Sequence, residues 1–143
     1  MKKEYAIYWV AFKILLKKNN KVLFLTDSWR GFLDLPGGRA DDNEGKIPIE
    51  KILQREVKEE LGEDIKYALG KPLFQFRRHN IKKKIYNLIT VYEAKYLSGA
   101  VNLSSEHSRY EWIDFENYKF KEIYFHNKVE YEVFRKYFKK LKT

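Results

Sequence analysis

Short runs of apolar and β-branched side chains dominate the first quarter of the chain, and this pattern predicts β-strands. The predicted strands cover residues 5–16, 22–26 and 32–35. Asn19-Asn20 supplies a turn signal between the first two strands, and the third strand ends at Pro36-Gly37-Gly38. The polar segments 27–30 and 39–46 are therefore expected to be loops.

The pattern becomes helical over residues 48–61, because Pro48 suits a first helical turn and Gly62 suits the position after the last. Further strands are predicted at residues 73–77, 85–96 and 110–115. A closing helix is predicted over residues 126–141, where four apolar side chains recur at helical spacing: Tyr131, Phe134, Phe138 and Leu141. This order predicts an α/β fold in one domain over residues 1–143, with a mixed sheet covered by helices.

The first predicted helix carries an apolar stripe that continues as an acidic one. The apolar half comprises Ile49, Ile52 and Leu53, and the acidic half comprises Glu56, Glu59 and Glu60. Like charges at this spacing repel, and partial burial adds a desolvation cost. A divalent cation such as Mg²⁺, which prefers oxygen ligands, would relieve both costs. The alternative is a surface helix with an acidic end, in which Arg55 pairs with Glu59.

The amino-acid composition excludes some kinds of site and favours some kinds of partner. The chain contains no cysteine, which excludes disulfides, thiolate metal sites and a cysteine nucleophile. Neither a membrane-spanning apolar run nor a signal peptide is recognisable, so we expect a cytoplasmic protein without a membrane partner. The formal net charge of +9 favours anionic partners such as nucleotides or RNA. A lysine-rich surface that only maintains solubility explains the same charge.

The acidic helix and the segment before it resemble the Nudix box. That signature is a glycine, five residues, a glutamate, seven residues, and then Arg-Glu-apolar-any-Glu-Glu-any-Gly-apolar. Here it begins with Gly38 and Glu44 and continues through the run from Arg55 to Gly62. Two features depart from it: ten residues instead of seven separate Glu44 from Arg55, and Glu63 occupies the last apolar position. The longer spacing leaves open whether Glu44 reaches Arg55.

The resemblance implies a Nudix-type α/β/α sandwich and a hydrolase acting on the phosphoric anhydride bond of nucleoside diphosphate-linked compounds. By position, it implies four ligands for Mg²⁺ or Mn²⁺: the backbone carbonyl of Gly37 and the carboxylates of Glu56, Glu59 and Glu60. It also implies that Arg55 orients the helix through a salt bridge. A later loop often adds an acidic residue, and Glu106, six residues before Trp112, is the candidate. Gly38 and Arg39 are candidate substrate contacts.

The identity of the general base and of the substrate stays open. Glu56 and Glu106 are both candidates for the base, and Glu106 is equally well explained as an exposed loop acid. A nucleoside triphosphate or related small nucleotide is the favoured substrate, and a homodimer is left open. The alternatives are a module that binds a nucleotide or RNA without cleaving it, and a 5′-end RNA pyrophosphohydrolase that grips phosphates with the lysines of residues 136–142.

Aromatic side chains are abundant, and a nucleobase could stack on one of them. The aromatic residues considered are Tyr5, Tyr8, Trp9, Phe12, Trp29, Phe76 and Tyr86. Strand alternation nevertheless predicts that most of these seven are in the core.

Overall fold

The computed structural model describes residues 2–141. The strands are β1 (Tyr8–Lys18), β2 (Lys21–Asp27), β3 (Leu33–Asp34), β4 (Gly37–Arg39), β5 (Lys66–Asn80), β6 (Ile85–Ser98) and β7 (His107–Asp114). The helices are α1 (Ile49–Leu61) and α2 (Lys128–Leu141), with 3-10 turns at Asp42–Glu44 and Glu122–Tyr124. The predicted order of strands and helices is confirmed. No helix within residues 2–141 has the length and apolarity needed to span a membrane.

The seven strands belong to one mixed sheet with the central order β3-β2-β1-β6-β5. β1 pairs with β6 in parallel along most of its length. On its other edge, β1 pairs with β4 at Ala11 to Lys13 and with β2 only at Lys17 and Lys18. β4 therefore occupies the part of the β1 edge from which β2 has diverged. This position brings Gly37 and Gly38 against α1.

A hydrophobic core lies on each face of the sheet. Side chains of β1 alternate between the two faces, so that Ile14 and Leu16 enter one core whereas Leu15 enters the other. On the first face, α1 contributes three buried residues: Leu53, Val57 and Leu61. On the second face, the core contains Phe24 of β2 together with Phe134 and Phe138 of α2. The predicted α/β/α sandwich is confirmed.

Two segments differ most from the prediction, and strand pairing explains both differences. β5 begins at Lys66 rather than at residue 73, because its pairing with β6 continues through register shifts around Gly70 and Pro72, residue types that weaken a strand prediction. Arg39 lies in a strand rather than in a loop, because it pairs with Ala11 of β1. Short strands that depend on a distant partner leave little trace in the local pattern.

Several residues expected in the core are instead exposed. Tyr5 is 81% exposed and precedes β1, while Trp29 is 76% exposed and lies in the loop after β2, so strand alternation applies to neither. Tyr86 is 47% exposed and stacks on His79, at a ring distance of 4.5 Å. Ile49, predicted on the apolar stripe of α1, is 40% exposed. Of the seven aromatic residues considered for base stacking, only Phe76 is buried.

Candidate active site

The three predicted carboxylates share one side of α1 but differ in burial. Their side chains are 5% exposed for Glu60, 14% for Glu56 and 58% for Glu59. Val57, rather than an acidic residue, continues the apolar stripe into the core. Glu59 is therefore turned toward solvent relative to its predicted position, whereas Glu60 and most of Glu56 are buried as predicted. Glu56, Glu59 and Glu60 are called the α1 carboxylate cluster below.

Two glycines of β4 allow the cluster to approach the backbone. The Gly37 N–H donates a hydrogen bond of 2.7 Å to Glu60 Oε1. Gly37 has a φ of 133°, and a Cβ there would overlap the carbonyl oxygen of Phe12 on the neighbouring strand. A Cβ on Gly38 would overlap the carboxylate of Glu56. Larger residues at either position would displace β4 or the carboxylate beside it.

Arg55 connects the cluster to the segment before the helix. Its Nε and Nη2 donate to the two carboxylate oxygens of Glu44 at 2.9 and 2.6 Å. Its Nη1 lies 2.9 Å from Glu56 Oε1 and 3.3 Å from Glu59 Oε1. A further hydrogen bond of 3.3 Å reaches the carbonyl oxygen of Arg39. The long spacing in the sequence thus does not prevent Glu44 from pairing with Arg55, since the chain turns back before α1 begins.

The loop before β7 closes one side of the cluster. The Ser104 N–H donates to the Glu60 carbonyl at 3.0 Å, and the Asn102 N–H donates to the Leu61 carbonyl at 2.7 Å. These bonds occupy carbonyls at the C-terminal end of α1, which have no partner within the helix. The loop thereby brings the exposed Glu106 to the cavity that the α1 carboxylates line. The structure therefore places Glu106 beside the residues with which the sequence grouped it.

Negative charge in this region exceeds the positive charge that contacts it. Burial raises the pKa of Glu60 to about 8, although Lys13 and the Gly37 N–H act in the opposite direction. Burial also raises the pKa of Glu56 above its ordinary value, despite the ion pair with Arg55. Both carboxyls are costly to ionise without a cation. The oxygen donors around one cavity fit a hard divalent ion such as Mg²⁺ or Mn²⁺.

A second group of charges is buried on the α2 side of the sheet. Lys13 Nζ lies 3.1 Å from Asp34, and Arg78 lies 3.4 Å from Asp34 and 2.6 Å from Glu130. These four residues are called the α2-side ion network below. Burial opposes the ionisation of Asp34, yet Lys13 and Arg78 together hold its pKa well below the usual range. The sequence analysis missed this network, although a lysine within an apolar strand was an available signal.

The sequence analysis also missed His107, the first residue of β7. Its side chain is only 7% exposed, and its Nδ1 lies 3.4 Å from Glu60 Oε2. The position directly after Glu106 was the single sequence signal that pointed to it. The imidazole adds a nitrogen that could bind a metal ion to a region whose other potential ligand atoms are oxygens.

An exposed aromatic side chain with cations around it lies in the loop after β2. Trp29 has the Arg30 guanidinium 4.7 Å and the Lys82 ammonium 5.5 Å from its ring centre. The neighbouring Ser28 N–H donates to the Glu106 carbonyl at 3.1 Å. The loop that presents Trp29 is therefore attached to the loop that presents Glu106.

The lysine-rich end of α2 lies away from this cavity. Tyr137 and Leu141 border a different cavity with Lys17 and Asn19, at the end of β1 opposite to the residues that pair with β4. Lys142 is outside the described residues. The lysines near the end of α2 are thus poorly placed to contact phosphates bound at the α1 carboxylate cluster.

Comparison with known proteins gives a consistent result. The family model for the NUDIX domain matches residues 8–137. The fold is similar to that of the MutT protein from Methanosarcina mazei Go1, with a TM-score of 0.73, 21% identity and coverage of 99% of each chain. It is also similar to a NUDIX hydrolase from Nitrosomonas europaea, with a TM-score of 0.71, 17% identity and coverage of 92% of this chain and 88% of the other. A search of curated protein sequences found no significant match.

A structure of a C. elegans Ap4A hydrolase binary complex is similar over 76% of this chain and 82% of the other, with a TM-score of 0.59 and 19% identity. At these identities the structural likeness establishes the fold, whereas the family rests on the match of the NUDIX model to most of the chain.

Proposed function

The chain belongs to the NUDIX family of hydrolases, and on this basis we propose that it is a divalent-metal-dependent pyrophosphohydrolase acting on a nucleoside triphosphate or related small nucleotide. Members of this family cleave nucleoside diphosphate-linked substrates. The observation that carries the proposal is the unbalanced charge of the α1 carboxylate cluster. A carboxylate that is buried without a matching cation is costly, and a bound metal ion removes the cost.

The proposed metal ligands are the backbone carbonyl of Gly37 and the carboxylates of Glu56, Glu59 and Glu60. A divalent ion bound there would neutralise charge on the diphosphate and lower the pKa of a water molecule. The hydrogen bond from the Gly37 N–H fixes Glu60 Oε1 and leaves Oε2 free for another contact. Glu60 is buried and would hold the ion from the protein side, whereas Glu59 is exposed and lies on the side open to the substrate.

Two residues remain candidates for the general base. Glu56 lies within the cluster, where burial raises its pKa above the ordinary value in the metal-free protein. Glu106 is more exposed and approaches the same cavity from the loop before β7. Arg55 acts as a positioning residue in this proposal, because it contacts Glu44 as well as Glu56.

Gly38 and Arg39 are the proposed substrate contacts. Gly38 keeps the backbone close to Glu56, so that phosphate oxygens can approach the carboxylates without meeting a side chain. Arg39 lines the same cavity, and its guanidinium stacks 4.8 Å from the ring centre of Trp9. An arginine held in this way can donate charge-assisted hydrogen bonds to a phosphate.

A 5′-end RNA pyrophosphohydrolase is the second candidate, and the surroundings of Trp29 favour it. An exposed aromatic ring flanked by Arg30 and Lys82 suits a stacked base with a phosphate beside it. If the protein contacts several RNA phosphates, its affinity for RNA should fall by about 10³-fold or more between low and moderate salt. An RNA affinity that does not change with salt would exclude this candidate and leave a small nucleotide as the proposed substrate.

The proposal is tested by a screen of nucleotides with Mg²⁺ or Mn²⁺, in which released phosphate and pyrophosphate are measured. Metal-dependent release that is lost in Glu56→Gln supports it. Nucleotide binding without any release, for every substrate and metal, would contradict it and favour a module that binds without cleaving. Lys58→Gln is the control, because Lys58 lies on the exposed side of α1 and pairs with the exposed Glu63, at 3.4 Å.

A further inference from the structure

His107 is a buried, chemically versatile side chain that the proposed function does not use. Its imidazole is only 7% exposed, and its Nδ1 lies 3.4 Å from Glu60 Oε2 but makes no hydrogen bond with any residue of the described range 2–141. A buried polar atom without a partner is uncommon in folded proteins and calls for an explanation. Glu60 Oε2 is also the oxygen that the Gly37 N–H does not occupy. The unpartnered imidazole nitrogen therefore faces a carboxylate oxygen that the Gly37 N–H leaves available to a ligand.

A third potential metal ligand lies near these two atoms. One ligand atom each from Glu60, Glu106 and His107 can be chosen so that all three lie within 4.8 Å of one another. Two metal bonds of about 2.0–2.2 Å span at most about 4.4 Å, which accommodates the 3.4 Å between His107 Nδ1 and Glu60 Oε2. A small movement of the exposed Glu106 side chain would bring its carboxylate within the same limit. The three side chains come from the buried end of α1, from the loop before β7 and from the first residue of β7.

The backbone holds this loop in place independently of any ion. The Ser104 N–H donates to the Glu60 carbonyl at 3.0 Å, and the His107 N–H donates to the Ser104 carbonyl at 3.4 Å. On the other side, the Ser28 N–H donates to the Glu106 carbonyl at 3.1 Å. The donor atoms are thus brought together by main-chain hydrogen bonds, which is the pre-organisation that a metal site requires.

We propose that Glu60, Glu106 and His107 form a mixed nitrogen and oxygen site that binds a divalent cation directly through the imidazole Nδ1. The inference rests on the proposed function, because Glu60 is shared with the α1 carboxylate cluster. An imidazole ligand favours ions such as Co²⁺, Ni²⁺ and Zn²⁺ more than it favours Mg²⁺. The site therefore gives this chain a preference for nitrogen-binding metals that an all-carboxylate site lacks.

The competing account is that His107 only orients Glu60 by hydrogen bonding and never contacts the ion, as residues behind metal ligands commonly do. The two accounts differ in whether a nitrogen atom is bonded to the metal. Pulsed electron paramagnetic resonance of bound Mn²⁺ detects such a nitrogen through its nuclear coupling. The chain has three histidines, so the signal can be assigned by labelling and by substitution.

The experiment uses the full-length protein loaded with Mn²⁺, prepared at natural abundance and with ¹⁵N-labelled histidine. We expect a directly coordinated ¹⁴N coupling in the first sample and its replacement by a ¹⁵N coupling in the second. His107→Gln should abolish the coupling, whereas His79→Gln, which removes the ring stacked on Tyr86, should preserve it. Bound Mn²⁺ without any histidine nitrogen coupling in the wild-type protein would overturn the inference. The labelled wild-type sample is decisive even if His107→Gln does not fold.

A calorimetric titration provides the second measurement. We expect His107→Gln to lower Co²⁺ affinity by about tenfold or more, the scale of a lost ligand or its support, and to change Mg²⁺ affinity less. Equal losses for both ions would contradict a nitrogen ligand. Hydrolysis that persists in a protein without the nitrogen coupling would remove this inference and leave the proposed function intact. A nitrogen coupling in a protein that hydrolyses no nucleotide would support this inference and contradict the proposed function.

Discussion

Two groups of buried charge lie on opposite faces of the same sheet, and they are built in opposite ways. In the α2-side ion network, Lys13 and Arg78 face Asp34 and Glu130, so that cations and carboxylates are balanced within 2.6–3.4 Å. In the α1 carboxylate cluster, one arginine is shared among several acids. The pKa of Asp34 is held below its ordinary range, whereas burial raises the pKa of Glu60 to about 8.

This difference in charge balance indicates a structural role for the α2-side ion network and a functional role for the α1 carboxylate cluster. A balanced buried network connects elements of the fold and needs nothing from solution, because each charge already has a partner. An unbalanced cluster retains a cost in the folded protein that a ligand can remove, and such sites are where binding or catalysis is expected. The contrast predicts that substitutions in the two groups will affect different properties.

The largest expected effect is on catalysis. Glu59→Gln keeps the size of the side chain and removes a charge from a repelling cluster, so the free energy of unfolding without metal should hold or rise slightly. Turnover of the substrate found by the screen should fall by about 10²–10⁴-fold. Lys58→Gln should change neither property much. Near wild-type turnover in Glu56→Gln, Glu59→Gln and Glu60→Gln alike would favour the surface-helix reading of α1.

The second largest expected effect is on the free energy of unfolding and concerns the α2-side ion network. Arg78→Met should leave Asp34 and Glu130 buried without their shared cation, which costs about 3–5 kcal/mol of unfolding free energy. Chemical denaturation measures this loss. Arg135→Met is the matched control, since Arg135 pairs with Glu132 on the exposed side of α2 at 2.8 Å and should contribute at most about 1 kcal/mol. Equal losses for the two variants would mean that the network is not structural.

The third effect is a pH dependence of opposite sign at the two sites. The pKa of Asp34 is lowered on folding, so its stabilising contribution is present above the unfolded value near 3.8 and is lost as pH falls. The pKa of Glu60 is raised to about 8, so the metal-free folded state holds an extra proton between about pH 4.5 and 8. The free energy of unfolding should therefore decrease with rising pH there, by up to about 1.4 kcal/mol per unit.

Denaturation of metal-free wild type and Glu60→Gln across this pH range separates the contribution of Glu60 from others. The decrease should be reduced in Glu60→Gln, whose amide does not titrate, and retained in Lys58→Gln. A decrease of the same slope in wild type and Glu60→Gln would show that the raised pKa of Glu60 does not govern the trend.

Much of this molecule was predictable from the sequence, for identifiable reasons. The order of the elements and the three carboxylates of α1 depend on local periodicity and on spacing within one helix, which a single sequence displays. The network of Lys13 with Asp34 and the place of His107 depend on which strands pair and where a loop is hydrogen-bonded. A lysine in an apolar strand and a histidine beside Glu106 are visible locally, but their partners lie in distant parts of the chain and are not encoded by a local pattern.

The central claim, that the α1 carboxylate cluster is a divalent-metal site, is tested most directly by a titration of the metal-free protein with Mg²⁺ or Mn²⁺ while its melting temperature is recorded. The account predicts a rise in wild type equivalent to about 2.7 kcal/mol at a hundredfold excess over the dissociation constant. The rise should be reduced in Glu56→Gln and kept in Lys58→Gln. An unchanged melting temperature at millimolar metal, with and without nucleotide, would contradict the claim.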